Sequence, residues 1–325
     1  MLKEFDLIAR YFADRGVSRA DVVLAVGDDS ALVTVGPEHE LAIAVDTLVA
    51  GVHFPVTTSA FDIGYKALAV NLSDMAAMGA VPSWATLALT LPQTEEAWLE
   101  AFANGFFSLA DAQKVQLIGG DTTTGPMTVT VQIHGLVERG KALRRSGAHA
   151  GDLIFVTGTL GDAGLALRRL QAGDSSSHVD EYLLMRLNRP TPRVEIGRRL
   201  IGLASSAIDI SDGLLADLSH ILERSHCGAH VRLHEIPLSS EYLSIMQGSE
   251  ECFRFAATSG DDYELCFTAS EEKREELQAI ALACDCPIHC IGEIEETTGL
   301  RCYDSDGQRL PIEQLGYQHF SEGEK

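Results

Sequence analysis

Apolar residues in the first half of the chain follow two patterns, short continuous runs and runs with helical spacing. The short runs are typical of strands buried in a sheet, and the helical spacing is typical of amphipathic helices. Gly79 and Pro82 follow the first long helical run and mark its end. The predicted strands are 40–45, 83–91, 115–118 and 127–137, and the predicted helices are 61–78 and 95–112.

The second half of the chain begins after a polar, glycine-containing connector near residue 145. We therefore expect two domains, 1–145 and 146–325, in which strands mix with helices as α/β or α+β layers. The predicted elements of the second domain are strands 153–157, 207–210 and 263–268, helix 214–225 and an exposed loop at 173–178.

The N-terminal segment has the spacing of an amphipathic helix, with Leu2, Phe5, Ile8 and Phe12 on one face. Charged residues interrupt it too often for a signal peptide, and no apolar run is long enough to span a membrane. We expect a cytoplasmic protein without a membrane partner.

Charge narrows the range of partners. The 325 residues include 47 acidic and 25 basic side chains, which gives a formal net charge of −22. Such a protein repels a phosphate backbone, so nucleic acid is not expected as a partner. A carboxylate-rich site binds a polyphosphate only if metal ions lie between the two sets of charges.

The seven cysteines all lie at or beyond Cys227, and their odd number is typical of reduced core thiols. Cys284, Cys286 and Cys290 form a cluster with His289 beside them. Their spacing matches no common zinc site, so a structural role is the favoured interpretation.

Several aspartates share one local pattern, in which a short apolar run ends and Asp follows among Gly, Ser or Thr. Asp74 differs because it lies inside a predicted helix, on the same face as Asn71. Taken singly, each aspartate is explained as well by a turn or a helix cap. Together they predict a ligand site, because ligands of α/β proteins gather at the carboxyl ends of strands. The aspartates that follow the pattern are Asp28, Asp29, Asp46, Asp121, Asp209 and Asp212.

A converging set of carboxylates must bind protons or cations. Two carboxylates about 4 Å apart repel by about 4 kcal/mol at an effective dielectric constant of about 20. Oxygen-only ligands favour Mg²⁺, which bridges protein carboxylates to substrate phosphates. The acidic set therefore predicts magnesium-assisted phosphoryl transfer.

Two other kinds of nucleotide site are disfavoured. The chain contains no G-x-x-x-x-G-K-[ST] run, which excludes a P-loop. Gly158, Gly161 and Gly164 follow a predicted strand, but their G-x-x-G-x-x-G spacing is not that of a dinucleotide-binding fingerprint. We interpret these glycines as a tight strand-to-helix turn.

The chain closely resembles the thiamine-monophosphate kinase family, within the aminoimidazole ribonucleotide synthetase-like superfamily. The two segments that separate this family from its relatives are DTLVAGVHF and NLSDMAAMGA. The segments that carry the resemblance are GDDSALV (27–33), DTLVAGVHF (46–54), YKALAVNLSDMAAMGA (65–80), LIGGDTT (117–123), RRSGAHAGDLIFVTGTLGDAGLAL (144–167), AIDISDGLLADL (207–218) and GDDYELCF (260–267).

The resemblance implies an ATP- and Mg²⁺-dependent phosphorylation of thiamine monophosphate to thiamine diphosphate, with several Mg²⁺ ions and no general base. It implies an α/β N-terminal domain, an α+β C-terminal domain, and a homodimer whose N-terminal strands form a shared barrel. Asp28 would support the metal cluster. The implied metal ligands are Asp29, Val45, Asp46, Asp74, Asp121, Asp209 and Asp212. The implied ATP contacts are Gly120, Asp121, Arg145 and Ser211, and the implied substrate contacts are His53, Asp261 and Tyr317.

Two positions depart from the family pattern. Ala44 and Val45 stand where the family often has Ser-Thr, so that metal binding at Val45 would use its backbone carbonyl. Asp261 replaces a longer Glu. Without the resemblance, His53, Arg145 and Tyr317 would each be interpreted as structural residues. Lys66 is interpreted as an ordinary lysine on a helix face.

Two alternatives of different kinds remain. The first is another ATP-using enzyme of the superfamily, a cyclo-ligase, a selenophosphate synthetase or a hydrogenase maturation factor. The absence of any cysteine before Cys227 and the C-terminal sequence FSEGEK disfavour the last two. The second alternative is a non-catalytic sensor of Mg–ATP or of a thiamine phosphate.

Overall fold

The computed structural model describes residues 7–13, 15–173, 180–247, 250–312 and 314–317. The chain forms two compact units. The N-terminal unit comprises Met1–Met75 and Ala80–Ala142, and the C-terminal unit comprises Ala76–Gly79 and Leu143–Lys325. The main division lies between Ala142 and Leu143.

The N-terminal unit is built on a mixed sheet of four strands in the order β3-β6-β4-β5. The β3–β6 and β6–β4 pairs are antiparallel and the β4–β5 pair is parallel, while β1 and β2 form a separate antiparallel pair. A short π-helical turn at Ala9–Ala13 precedes them. The strands are β1 (Val22–Leu24), β2 (Leu32–Val33), β3 (His39–Val49), β4 (Val81–Leu91), β5 (Gln116–Thr124) and β6 (Thr128–Glu138), and the helices are α1 (Ala60–Ala77) and α2 (Glu96–Gln113).

One face of this sheet is buried beneath α1. Val129, Val131 and Ile133 alternate along β6 and are at most 1% exposed. Gly135 in the same strand lies so close to α1 that an added Cβ would stand 2.6 Å from the sulfur of Met75. The strict alternation of buried positions along β6 therefore reflects a sheet with one covered face.

Helices α1 and α2 approach each other closely at two glycines. A Cβ added at Gly64 would collide with the carbonyl oxygen of Phe102, and one added at Gly105 would collide with that of Phe61. Only glycine permits this backbone separation. The crossing fixes the position of α1, which carries Asp74.

The other face of the sheet is exposed along β3, which lies at the edge of the sheet. Leu41, Ile43 and Val45 on this face of β3 are 40%, 55% and 57% exposed. Within the described residues the sheet does not close on itself. The expected shared barrel is therefore not confirmed.

The C-terminal unit contains a sheet of seven strands in the order β13-β12-β9-β11-β7-β10-β8. All neighbouring strands are antiparallel except β9 and β12. The strands are β7 (Leu153–Thr157), β8 (Ser206–Asp209), β9 (Gly228–Arg232), β10 (Leu265–Ala269), β11 (Ile288–Glu295), β12 (Gly299–Tyr303) and β13 (Arg309–Leu310). The helices are α3 (Asp162–Gln171), α4 (Glu181–Asn188), α5 (Val194–Arg199), α6 (Leu214–Ser225), α7 (Ser240–Met246), α8 (Glu250–Thr258) and α9 (Arg274–Ala283), with 3₁₀ turns at Leu233–Glu235 and Glu271–Lys273.

The core of this unit forms where α6 packs on the sheet. Leu218 and Ile221 of α6 belong to one buried cluster with Ile154, Ile208 and Val231 of the strands. Because α6 begins directly after β8 and a short turn, this packing fixes the turn that joins them.

Two strands are longer than predicted. β3 extends to Val49 and β5 to Thr124, so Asp46 and Asp121 lie inside strands. The prediction that both follow a strand end in a turn is wrong. Asp209 is the last residue of β8, as the pattern requires, and Asp212 lies in the turn before α6.

Near the N-terminus, Leu7 and Phe12 are 1% and 5% exposed. Leu2 and Phe5 of the predicted amphipathic helix lie outside the described residues, as do 174–179, which include most of the predicted loop at 173–178. Across the described ranges, no helix combines the length and the apolar character that crossing a bilayer requires.

All seven cysteines are free thiols, and all lie in the C-terminal unit. Cys286 is buried, while Cys284 and Cys290 are partly exposed. Throughout the described part of the chain no group of three or more His, Cys, Asp or Glu side chains could hold a metal ion, and this includes the cluster around His289.

Candidate functional site

The N-terminal unit brings two of the predicted metal ligands into contact, Asp46 of β3 and Asp74 of α1. Asp46 belongs to the face of β3 opposite Ile43 and Val45, and Asp74 forms a side-chain hydrogen bond with it. Burial raises the pKa of the Asp46 carboxyl, and the hydrogen bond with Asp74 opposes that rise. Two partly buried carboxyls in contact require a shared proton or a cation.

Two other polar residues of α1 are buried. Asn71 is fully buried, and its side-chain amide donates to the carbonyl oxygen of Ala67 at 3.0 Å, so its nitrogen supports the helix. Lys66 is only 2% exposed. Its interpretation as an ordinary lysine on a helix face therefore misses its burial in the unit's interior.

Asp28 and Asp29 lie in the exposed loop between β1 and β2. The backbone N–H of Asp29 donates to a carboxylate oxygen of Asp28 at 2.8 Å. This contact orients the backbone that carries Asp29.

Gly120 and Asp121 are exposed residues of β5. A Cβ at Gly120 would collide with the carbonyl oxygen of Leu87 in the neighbouring strand. The two backbones therefore approach more closely than a side chain permits, and glycine is required at this position.

His53 lies in a tight turn after β3. Its Nδ1 accepts a hydrogen bond from the backbone N–H of Val49 at 3.0 Å. The neutral ring therefore carries its proton on Nε2, which makes that atom a donor. A donor can bind an oxygen atom of a substrate, which is the kind of ligand expected for His53.

In the C-terminal unit, the 211–213 turn between β8 and α6 carries Ser211 and Asp212. Asp217, in the first part of α6, is 3% exposed and reaches back to this turn. Its Oδ2 accepts the backbone N–H groups of Ser211, Asp212 and Gly213 at 3.0, 3.1 and 3.2 Å. Burial, together with the charges of Asp209 and Asp212, raises the pKa of Asp217 to about 8.

The carbonyl oxygens of the same turn hold two predicted substrate residues. The backbone N–H of Asp261 donates to the Ser211 carbonyl at 2.9 Å, and that of Tyr317 donates to the Asp212 carbonyl at 2.9 Å. Asp261 has a φ of 70°, which is unusual for a residue other than glycine. The hydroxyl of Tyr263 donates to its carboxylate at 3.1 Å.

Asp262 and Glu264 follow on the buried side of this segment. Asp262 is 1% exposed, and its carboxylate accepts the backbone N–H of Gly161 at 2.8 Å. Glu264 is fully buried and accepts from Arg186 at 2.9 Å and from both Nε and Nη2 of Arg193 at 2.6 Å. The G-x-x-G-x-x-G turn is thus held by an internal charge network, which agrees with its interpretation as a structural turn.

Arg145 is exposed, on the connector between the predicted domains. Its carbonyl oxygen accepts from the hydroxyl of Ser225 at 3.3 Å, and the N–H groups of Gly147 and Ala148 donate to the same hydroxyl oxygen at 3.1 and 3.2 Å. Ser225, the last residue of α6, therefore fixes the backbone beside Arg145.

The structure thus groups the predicted residues as an Asp46–Asp74 pair and as a set around the 211–213 turn. Further polar residues around these groups were not predicted from the sequence, namely Asp217, Glu264 and the arginines that bind Glu264. For Asp217 the signal was present, because an Asp five residues after Asp212 in the first part of a helix lies within reach of the preceding turn.

The donor set fits magnesium. Every grouped candidate ligand is an oxygen, and the Asp46–Asp74 pair places two carboxyls in contact in a partly buried position. Mg²⁺ retains several waters and commonly uses only one or two protein carboxylates together with substrate phosphates. A pair of carboxyls, rather than a complete protein cage, suits that ion.

Comparison with known proteins assigns the chain to a family. Residues 27–137 match the N-terminal domain of the AIR synthase related proteins, and residues 149–305 match their C-terminal domain. The thiamine-monophosphate kinase of Escherichia coli K12 is 49% identical over 322 residues, which cover 98% of each chain.

Solved structures agree in fold. The thiamine-monophosphate kinase of Stenotrophomonas maltophilia K279a is 49% identical, covers 90% of this chain and 93% of its own, and gives a TM-score of 0.84. The structure of AaThiL complexed with AMPPCP and TMP is 31% identical, with 91% and 92% coverage and a TM-score of 0.78. With this similarity along almost its whole length, the chain belongs to the thiamine-monophosphate kinase family of AIR synthase related proteins.

Proposed function

We propose that the protein transfers the γ-phosphoryl group of ATP to thiamine monophosphate and so produces thiamine diphosphate. The observation that carries the proposal is the Asp46–Asp74 carboxyl pair, in a chain that matches a thiamine-monophosphate kinase over 98% of its length. The AaThiL structure, which holds AMPPCP and TMP together, supports a site for a nucleotide and a second phosphorylated ligand.

The proposed roles fall on residues of both groups and on predicted residues outside them. Asp28 supports the loop that carries Asp29. The proposed metal ligands are Asp29, Asp46, Asp74, Asp121, Asp209, Asp212 and the carbonyl of Val45. The proposed nucleotide contacts are Gly120, Asp121, Arg145 and Ser211, and the proposed substrate contacts are His53, Asp261 and Tyr317.

The chemistry requires positioning more than proton transfer. The acceptor oxygen belongs to a phosphate that is already ionised at neutral pH, so no side chain has to act as a general base. Asp46 and Asp74 would hold Mg²⁺, which would supply positive charge to offset the negative charge of the transferring phosphoryl group. The His53 Nε2–H donates toward a phosphate oxygen, and the Arg145 guanidinium adds positive charge.

We also propose a cytoplasmic homodimer in which β3 takes part in a barrel shared by two copies. The support is the open, apolar face of an edge strand, with Ile43 and Val45 more than half exposed. A long, exposed and apolar edge strand is normally covered by another chain or element.

The direct test incubates the purified protein with Mg–ATP and, in separate samples, thiamine monophosphate, thiamine and an aminoimidazole precursor, and identifies the products by mass. We expect thiamine diphosphate from the monophosphate alone, and none after EDTA treatment. Tight binding of the ligands without turnover would instead support a sensor, and conversion of the precursor would support a cyclo-ligase.

A further inference from the structure

Asp217 holds the 211–213 turn in a manner unlike an ordinary helix cap. One carboxylate oxygen accepts three consecutive backbone N–H groups, and the carboxylate comes from inside α6 rather than from the residue that precedes the helix. The residue that precedes the helix, Gly213, has no side chain to cap it. Asp217 therefore supplies the acceptor for the turn's partly buried donors.

The opposite side of the turn faces the segments that carry Asp261 and Tyr317. The carbonyl oxygens of Ser211 and Asp212 accept the backbone N–H groups of these two residues. The 211–213 turn thus has donors bound by Asp217 and acceptors bound by the predicted substrate segments.

Close packing makes this arrangement stiff. A Cβ added at Gly260 would collide with the carbonyl oxygen of Ser211, and one added at Gly316 would collide with that of Asp212. Both glycines directly precede the residues whose N–H groups bind the turn. A shift of the turn must therefore move both segments.

We propose that Asp217 is a positioning residue that fixes the conformation of the 211–213 turn. Through the carbonyl oxygens of Ser211 and Asp212, the turn then fixes the positions of Asp261 and Tyr317. This inference rests on the proposed function for the roles of the four residues that it positions. The hydrogen-bond path itself is independent of those roles.

The functional test measures the binding of Mg–AMPPCP and of thiamine monophosphate by calorimetry in four proteins: the wild type, Asp217→Ala, Asp217→Glu and Asp217→Asn. The Ala variant removes the acceptor, and the Glu variant displaces it while retaining the charge. We expect both to weaken binding of both ligands by about tenfold or more. The Asn variant retains an acceptor oxygen, and we expect both affinities to stay within about threefold of the wild type.

The matched control is Asp152→Ala. Asp152 is a buried aspartate of the same unit that holds another turn by accepting the N–H of His149 at 2.9 Å and the hydroxyl of Ser205 at 2.6 Å. It precedes β7, at the opposite end of the strands from the 211–213 turn. We expect a lower melting temperature and unchanged ligand affinities.

A second measurement does not depend on ligands. Amide hydrogen exchange should accelerate at Asp261 and Tyr317 in Asp217→Glu and Asp217→Ala, although neither residue is bonded to the Asp217 side chain, and should not accelerate there in Asp152→Ala. If Asp217→Ala does not fold, ligand binding and hydrogen exchange are both measured on Asp217→Glu. Faster exchange confined to 211–213 would overturn the proposed path.

The two measurements separate this inference from the proposed function. A wild type that binds neither ligand, together with the expected exchange changes, would overturn the function and leave the path standing. Normal ligand binding in the Ala and Glu variants would overturn the positioning role. A loss of affinity in Asp217→Asn as large as in Asp217→Ala would overturn it too, because it would indicate a carboxylate that binds metal directly.

Discussion

At the scale of single residues, the contact between Asp46 and Asp74 concentrates two carboxyls where burial already disfavours ionisation. An arrangement of this kind costs stability unless a proton or a cation neutralises it. The same cost favours cation binding, because a cation bound by both carboxylates offsets the repulsion between them.

Asp74→Asn should fold normally and lose turnover by about 100-fold or more, because it removes one negative oxygen ligand without changing the shape of α1. Steady-state kinetics over a range of Mg²⁺ concentrations, with thermal unfolding as a check on folding, measure both effects. The matched control is Asp62→Asn on the same helix, where Asp62 accepts the hydroxyl of Ser59 at 2.7 Å. Near-normal turnover of Asp74→Asn at saturating Mg²⁺ would contradict a metal-binding role.

A second residue-scale prediction concerns Asp21. The Arg19 guanidinium donates to both of its oxygens at 3.0 and 2.7 Å, the indole of Trp84 donates at 3.0 Å, and these contacts hold the pKa of Asp21 below its usual value. A lowered pKa stabilises the fold above the unfolded-state value of about 4, and that contribution is lost as pH falls through the folded-state value.

Asp21→Asn should therefore lower the free energy of unfolding by about 1–2 kcal/mol at pH 7, and by progressively less below about pH 4. Urea unfolding at several pH values measures this difference. Glu100→Gln, which removes an exposed partner of Arg15 at 3.5 Å, serves as control and should have little effect at any pH. A difference that stays constant down to pH 3 would exclude the proposed linkage.

The sequence was sufficient to name candidate carboxylates but not to predict what surrounds them. Asp46 and Asp74 could be named because of the family motifs and because Asp is uncommon inside a helix. Glu264 was missed because its role depends on contacts with the distant Arg186 and Arg193, whereas Asp217 binds a turn only four to six residues before it. No local pattern around Glu264 indicates which cations will surround it.

At the scale of elements, the long strands explain the largest difference between prediction and structure. An Asp at position 46 or 121 was taken to end a strand, because Asp is depleted in strands. In β3 and β5 the ladder nevertheless continues for three residues beyond each aspartate, to Val49 and Thr124. In contrast, the patterns of β7 and α6 predicted their bounds correctly, because each is a fully regular segment next to clear turn residues.

The edge strand β3 gives an element-scale prediction. Ile43→Lys places a charge in the middle of the apolar open face, and it should shift a dimer toward monomer if a second copy covers that face, because burying an unpaired charge is costly. Light scattering after gel filtration measures the mass. Leu282→Lys, at a residue of α9 that is 85% exposed in the other unit, is the control and should leave the mass unchanged. A wild type that is monomeric at all concentrations would rule out the proposed dimer.

The internal charge network around Glu264 gives a second element-scale prediction. Glu264→Gln removes the buried negative charge that Arg186 and Arg193 share, so that Arg193 loses its ion-pair partner and Arg186 keeps Asp162 at 3.5 Å. It should lower the free energy of unfolding by about 3–5 kcal/mol. Glu195→Gln removes an exposed carboxylate that binds Arg198 at 3.2 Å and Arg199 at 2.7 Å, and should cost less than about 1 kcal/mol. Chemical denaturation of both variants measures the two free energies of unfolding. Equal losses of stability would show that burial of the network adds nothing to the strength of its ion pairs.

At the scale of the whole molecule, the sequence predicted two domains because the connector near residue 145 interrupts the regular pattern. The structure contains two units that divide between Ala142 and Leu143. The C-terminal unit also includes a short segment of the first half of the chain, which no linear pattern indicates. Residues 76–79, at the end of α1, belong to the C-terminal unit, because membership depends on the spatial neighbours of a residue.

The division of the chain also separates a spectroscopic reporter, tryptophan, from a chemical reporter, the cysteine thiol. Both tryptophans, Trp84 and Trp98, lie in the N-terminal unit, and all seven cysteines lie in the C-terminal unit. Indole emission therefore follows the unfolding of one half, and thiol labelling follows that of the other, with no engineered probe. We expect Mg–AMPPCP to raise both transition midpoints; a ligand-induced shift in only one signal would identify the unit that holds the nucleotide.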